Sequence, residues 1–141
     1  MKGLTLTAKN SSYVFHIGYA EFFHLRATIA SLYDKCLGEH YWTLPQYHDK
    51  QTYDEFDRIT EEILAHPRFK EEDSDILDFL YASDCDGKIG YKTCKKIRDL
   101  LQASGSTGQD GEKASALYHD YRELREFLGE CYSHRRTAYW I

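Results

Sequence analysis

The chain is poor in the residues that break helices or staple loops. Only two of its 141 residues are proline, so long helices are permitted almost anywhere. It has four cysteines, Cys36, Cys85, Cys94 and Cys131, and none forms a C-x-x-C pair. Cys131 and His134, three apart, have a spacing that could share a metal. No run approaches the roughly 18 apolar residues of a membrane helix, and the N-terminus has no apolar signal-type core. The expectation is a cytoplasmic protein with reduced thiols and no membrane partner. Positive charge is also in deficit, with 18 Lys and Arg against 23 Asp and Glu and a net charge of -5. General nucleic-acid binding runs on a positive field, and this balance argues against it.

Catalytic signatures are missing as well. There is no G-x-S-x-G elbow, no H-E-x-x-H pair and no dinucleotide fingerprint. Residues 104–111 hold three glycines, but no Lys-Ser/Thr ending follows, so this is no phosphate-binding P-loop. It reads as a flexible surface loop. The balance favours a non-enzymatic protein.

What is present is a core and many rings. Hydrophobic residues make up 42% of the chain and aromatic residues 15%, with 12 tyrosines. Disorder is excluded by that content, and residues 1–141 read as a single domain. Tyrosine suits half-buried surfaces and binding sites alike. Charge is segregated. Residues 52–87 hold 12 acids against three bases, whereas residues 88–98 hold five bases and no acid. Attraction between an acidic helix and a basic one accounts for this pattern. A binding role for the basic run requires aromatic or polar company on the same face.

Alternation marks residues 4–7 and 13–17 as strands, with turn chemistry at 9–12 between them. Tyr13, Phe15 and Ile17 share one face and His16 points the other way. A helix is expected over 19–37, with a stripe of Phe22, Leu25, Ile29, Leu32 and Cys36, stopped by Gly38. Arg26 lies at the margin of that stripe, either snorkelling from the core edge or aimed into a pocket. Residues 38–51 read as an irregular aromatic loop in which Trp42 either covers a pocket or packs back onto the core. Thr52 is expected to cap the next helix, with Glu55 completing a capping box. Further helices are expected up to Tyr81, over 91–101 and over 112–135. The apolar tail 137–141 is expected to add a strand beside the hairpin and hide Trp140. The fold class is α+β and mainly helical, with about five helices on a small antiparallel sheet.

The segment Asp84-Cys85-Asp86-Gly87-Lys88-Ile89 resembles the middle of an EF-hand calcium loop spanning 82–93. With Gly87 at position 6, Asp84 and Asp86 take positions 3 and 5 and Ile89 the apolar position 8. The end ligands are missing, because Ala82 stands at position 1 and Thr93 at position 12. Asp84 and Asp86 are thus candidate calcium ligands in an incomplete set. Alternatively the segment is a tight helix–loop–helix elbow with Gly87 at positive φ.

His16, Tyr19 and Arg26 surround the strand-to-helix junction at Gly18, where a helix N-terminus offers free amides. A C-terminal strand nearby would add Arg135, Arg136, Tyr139 and Trp140. Arginine for phosphate and rings for base stacking suit a nucleotide-type anion. The candidate ligand residues are His16, Tyr19, Arg26, Trp42, Arg135 and Arg136. Residues 12–26 and 79–89 together resemble small proteins encoded by phages and prophages. That resemblance implies an accessory role in the host cytosol, such as counter-defence by sequestering a nucleotide signal or blocking a host protein. The alternative partner is a host protein bound through the acidic face of residues 54–78, and self-association is compatible with either.

Overall fold

The computed structural model describes residues 3–69, 74–83, 86–107 and 121–141. Strands β1 (Gly3–Ala8), β2 (Val14–Gly18), β3 (Gly87–Ile89) and β4 (Ala138–Trp140) form one antiparallel sheet in the order β2-β1-β4-β3. Leu6 pairs with Phe15 on one side and with Trp140 on the other, and Trp140 in turn pairs with Gly87. The side chains of Leu4, Leu6, Ala8, Ile17, Ile89, Ala138 and Trp140 are buried. Successive side chains alternate between faces, so Thr5, Thr7, Val14, His16, Lys88 and Tyr139 share the outer one. The C-terminal strand and the burial of Trp140, which is 0% exposed, match the alternation of the sequence.

Helices fill the inner side: α1 (Tyr19–Tyr33), α2 (Lys35–Tyr41), α3 (Lys50–Leu64), α4 (Ser74–Tyr81), α5 (Tyr91–Thr107) and α6 (Arg122–Ser133). The fold is therefore α+β and mainly helical. The expected helix 19–37 is in fact two. Asp34 takes an extended conformation and caps α2, accepting from the Leu37 amide at 2.9 Å. Arg68 grips the same carboxylate with Nε at 2.6 Å and Nη2 at 3.2 Å. That hydrogen bond holds the Asp34 carboxyl below its ordinary range, against the opposing effect of burial. Gly38 does not stop a helix. It lies inside α2, where a Cβ would stand 2.3 Å from the Ser31 hydroxyl oxygen and 2.4 Å from the Ser31 Cα. The bare backbone lets α2 fold back against α1.

Residues 38–51 are more ordered than their composition suggests. After α2 comes a 3-10 turn at Leu44–Gln46, and Asp49, not Thr52, caps α3. Thr52 is the third helical residue, donating its amide to Asp49 at 2.9 Å and accepting the Asp49 amide at 3.1 Å. Residues 104–107, expected in a loop, continue α5. The rest of that loop and residues 112–120 of the expected last helix lie outside the described residues.

The elbow after α4 also differs from its expectation. Gly87 opens β3 and its φ is not in the left-handed range. Its lack of a side chain serves the core: a Cβ would stand 2.1 Å from Cζ2 of Trp140. The indole presses against the glycine where strands β3 and β4 pair.

Candidate functional site

The sequence-derived site residues do not converge at the Gly18 junction. Arg26 is 5% exposed. Its guanidinium donates to the carbonyl oxygens of Ala82 at 2.8 Å and Ser83 at 3.2 Å. It also lies over the Phe22 ring at 4.3 Å and near those of Phe79 and Trp140. It is a core strut between α1 and the segment after α4. His16 is exposed on the outer sheet face, its Nδ1 2.8 Å from the Thr5 hydroxyl. Tyr19 is exposed at the start of α1. Trp42, 40% exposed, meets Phe23 and His24 edge-on and covers no other candidate residue. Arg136 donates to the carbonyls of Lys9 and Asn10 at 2.9 and 2.8 Å, which fastens the hairpin turn.

The junction itself suits an anion poorly. Its hollow of about 480 Å³ is lined by His16 and His24 but also by Glu21 and Glu123. Glu21 already reaches back to the Gly18 amide at 3.4 Å. Two carboxylates beside a helix N-terminus repel a second anion.

Asp86 is exposed beside β3, and Asp84 lies outside the described residues. Among the described residues no three His, Cys, Asp or Glu side chains come together. Cys131 is buried whereas His134 turns outward to Glu130 at 3.0 Å, so the pair shares no point. Cys131 instead hydrogen-bonds the Cys94 thiol, and that bond together with burial pushes the Cys94 thiol up.

The basic run of residues 88–98 does find aromatic company. Helix α5 begins at Tyr91, so Tyr91, Lys95, Arg98 and Gln102 fall on one face at helical spacing. Helix α6 packs beside it and presents Arg122, Arg125, Gly129, Tyr132 and Ser133 along the facing stripe. At one end, Tyr91, Lys92, Lys95, Lys96, Tyr132, Ser133 and Arg135 line a hollow of about 580 Å³. That is within the range of small-ligand sites. The two tyrosine rings stand 6.2 Å apart, tilted by 38°. Lys95 and Arg98 approach the Tyr132 ring at 5.9 and 5.8 Å.

The cations of this hollow are unequally engaged. Lys96 pairs with Asp75 at 3.0 Å, beside a 2.7 Å bond from the Thr93 hydroxyl to the same carboxylate. Burial of Asp75 is outweighed by these bonds, and its carboxyl is held low. Lys95 pairs with Asp99 at 2.8 Å, which raises the lysine. Attraction between acidic and basic helices thus explains Lys96. It does not explain Lys92 or Arg135, which make no ion pair among the described residues.

Arg135 is held there by an unusual backbone. The Arg136 amide bonds the Cys131 carbonyl at 2.8 Å and the Arg135 amide bonds that of Tyr132 at 3.2 Å. This is a Schellman ending to α6, and Arg135 occupies its left-handed position with φ 53°. Glycine ordinarily takes that place, since an L side chain there costs about 1–2 kcal/mol. The strained residue is exposed and lines the tyrosine hollow. Strain of this kind collects at functional positions.

The stripe Tyr91-Lys95-Arg98 was available as a helical period in the sequence. Tyr132 belongs to another helix, and only the packing of α6 on α5 brings it to the run. Cations flanking two tyrosine rings, at the positive end of a 17-residue helix, can hold an anion and cover a flat ring. No protein-family model, curated protein or solved structure matches the chain.

Proposed function

We propose that the protein binds a small nucleotide-type anion in the hollow between the start of α5 and the end of α6. The observation that carries this reading is Arg135, a strained and exposed arginine set with Lys92 around the Tyr91 and Tyr132 rings. Lys92, Arg135 and the first amides of α5 supply charge-assisted bonds to phosphate. The tyrosines supply stacking surface for a base. Sequestration of such a ligand in a host cell is the role implied by the likeness to phage-encoded proteins. Isothermal titration against the common mononucleotides tests the reading. Heat of binding is expected for at least one, with affinity about tenfold weaker in Lys92→Ala. Absence of heat for every nucleotide contradicts it.

A second reading rests on α3. That helix buries only Phe56 and Thr60 and exposes Asp54, Glu55, Asp57, Glu61 and Glu62 beside Tyr53. A basic partner protein fits this face. Pull-down from host lysate, abolished when these acids are changed to their amides, supports it; capture that survives the change contradicts it.

A further inference from the structure

The groove does not end at the tyrosine hollow. Past Tyr132 it opens into a second hollow of about 550 Å³, lined by Tyr13, Arg98, Gln102, Arg122, Arg125, Glu126, Gly129, Glu130 and Ser133. Ser133 lines both hollows. The second repeats the parts of the first. Three arginines stand where the first hollow has lysines and Arg135. One exposed tyrosine, Tyr13, is stacked on Phe127 with centroids 5.5 Å apart and planes within 11°. Gly129 forms part of the floor, with the Arg98 side chain lying beside it. Arg98 reaches this groove from α5, its Nη2 3.3 Å from Asp99. Of the two carboxylates on this wall, Glu126 pairs with Arg122 at 3.4 Å and Glu130 lies 3.0 Å from Nε2 of His134.

We infer that the α5–α6 groove takes a dinucleotide, with one nucleotide unit in each hollow and the phosphate between them beside Arg98 and Ser133. This inference rests on the nucleotide-binding reading and extends it from one unit to two. The spacing is suitable: from Tyr91 to Gln102 the helix advances about 16 Å, long enough for two consecutive nucleotides. Arg122 and Arg125 line the second hollow and not the first, so their replacement leaves binding of a single nucleotide unchanged.

The test is titration of the purified chain with each of the four mononucleotides, the matching linear homodinucleotides and the cyclic homodinucleotides. At least one dinucleotide is expected to bind about tenfold or more tightly than its mononucleotide. Gain with the linear form or with the cyclic form identifies which source the groove accepts. Arg122→Ala and Arg125→Gln, each checked for an unchanged melting temperature, are expected to remove that gain and leave mononucleotide affinity within about twofold. Glu126→Gln with Glu130→Gln, which removes negative charge from the wall, is expected to strengthen dinucleotide binding only. If mononucleotides bind but no dinucleotide gains over them, or if the gain survives both arginine changes, the two-unit inference is overturned while the single-site reading stands. Failure of every mononucleotide and dinucleotide to bind overturns both.

Discussion

Arg26 and Trp140 meet on one acceptor. The carbonyl oxygen of Ser83 receives the Arg26 Nη2 at 3.2 Å and the Trp140 Nε1 at 3.0 Å, from residues 57 positions away on either side. Tyr41 adds a third tie, its hydroxyl donating to the Leu80 carbonyl at 2.7 Å. The chain leaving α4 is therefore pinned by donors from α1, α2 and β4. This fixes the start of β3 and, through it, the N-terminus of α5 at the edge of the groove.

Replacement of Arg26 by Leu is expected to act on stability and not on ligand affinity. It removes the Arg26 donor from the Ala82 and Ser83 carbonyls, at a cost of about 3 kcal/mol. Urea unfolding measures the loss. Titration under conditions where the variant remains folded is expected to return the wild-type affinity.

Gly87→Ala is expected to destabilise the protein by about 1–3 kcal/mol through overpacking against the rigid Trp140 indole. The same change made together with Trp140→Leu is expected to cost less than the sum of the two single changes, as a shared contact requires. Melting temperatures of the four proteins in this cycle decide it. Additive losses would separate the glycine from the indole.

Acid stability is expected to register His40. Its ring is buried, stacked on Phe56 at 4.1 Å, with Nε2 at 2.9 Å from the Thr60 hydroxyl. Burial pushes the imidazole down, and the Phe56 carbonyl only partly offsets this. The fold thus favours the neutral ring, and the unfolded chain takes up the proton first. Stability is full above the unfolded value near pH 6.5 and falls as the pH drops toward the folded value. The carboxylates of Asp34, Asp49 and Asp75 are held low, so their losses come at more acidic pH, below about 4. Melting curves between about pH 7 and pH 5 are expected to slope in the wild type and to flatten in His40→Phe.

Much of the architecture was legible because it follows from one-sided burial. Leu4, Leu6, Phe15 and Ile17 alternate, and the tail carrying Trp140 had to be covered. What was not legible depended on partners far along the chain. Arg26 stood at the edge of an apolar stripe, and nothing local distinguishes a snorkelling arginine from one that binds carbonyls 56 and 57 residues later. Gly38 and Gly87 both resembled punctuation, yet each is needed for a close approach, to Ser31 and to Trp140. The basic run was visible as charge. Its tyrosines were not visible as a site, because Tyr91 and Tyr132 become neighbours only when α6 lies along α5.

The most direct measurement concerns Arg135, whose two properties pull in opposite directions. Glycine accepts the left-handed backbone that arginine occupies at strain, so Arg135→Gly is expected to gain a net of about 0.5–1 kcal/mol in stability after the added freedom of the unfolded chain. The same change removes the guanidinium proposed to hold phosphate, and nucleotide affinity is expected to fall about tenfold or more. A variant that is more stable and binds more weakly is the predicted result. A variant that binds the nucleotide as tightly as the wild type would contradict the account.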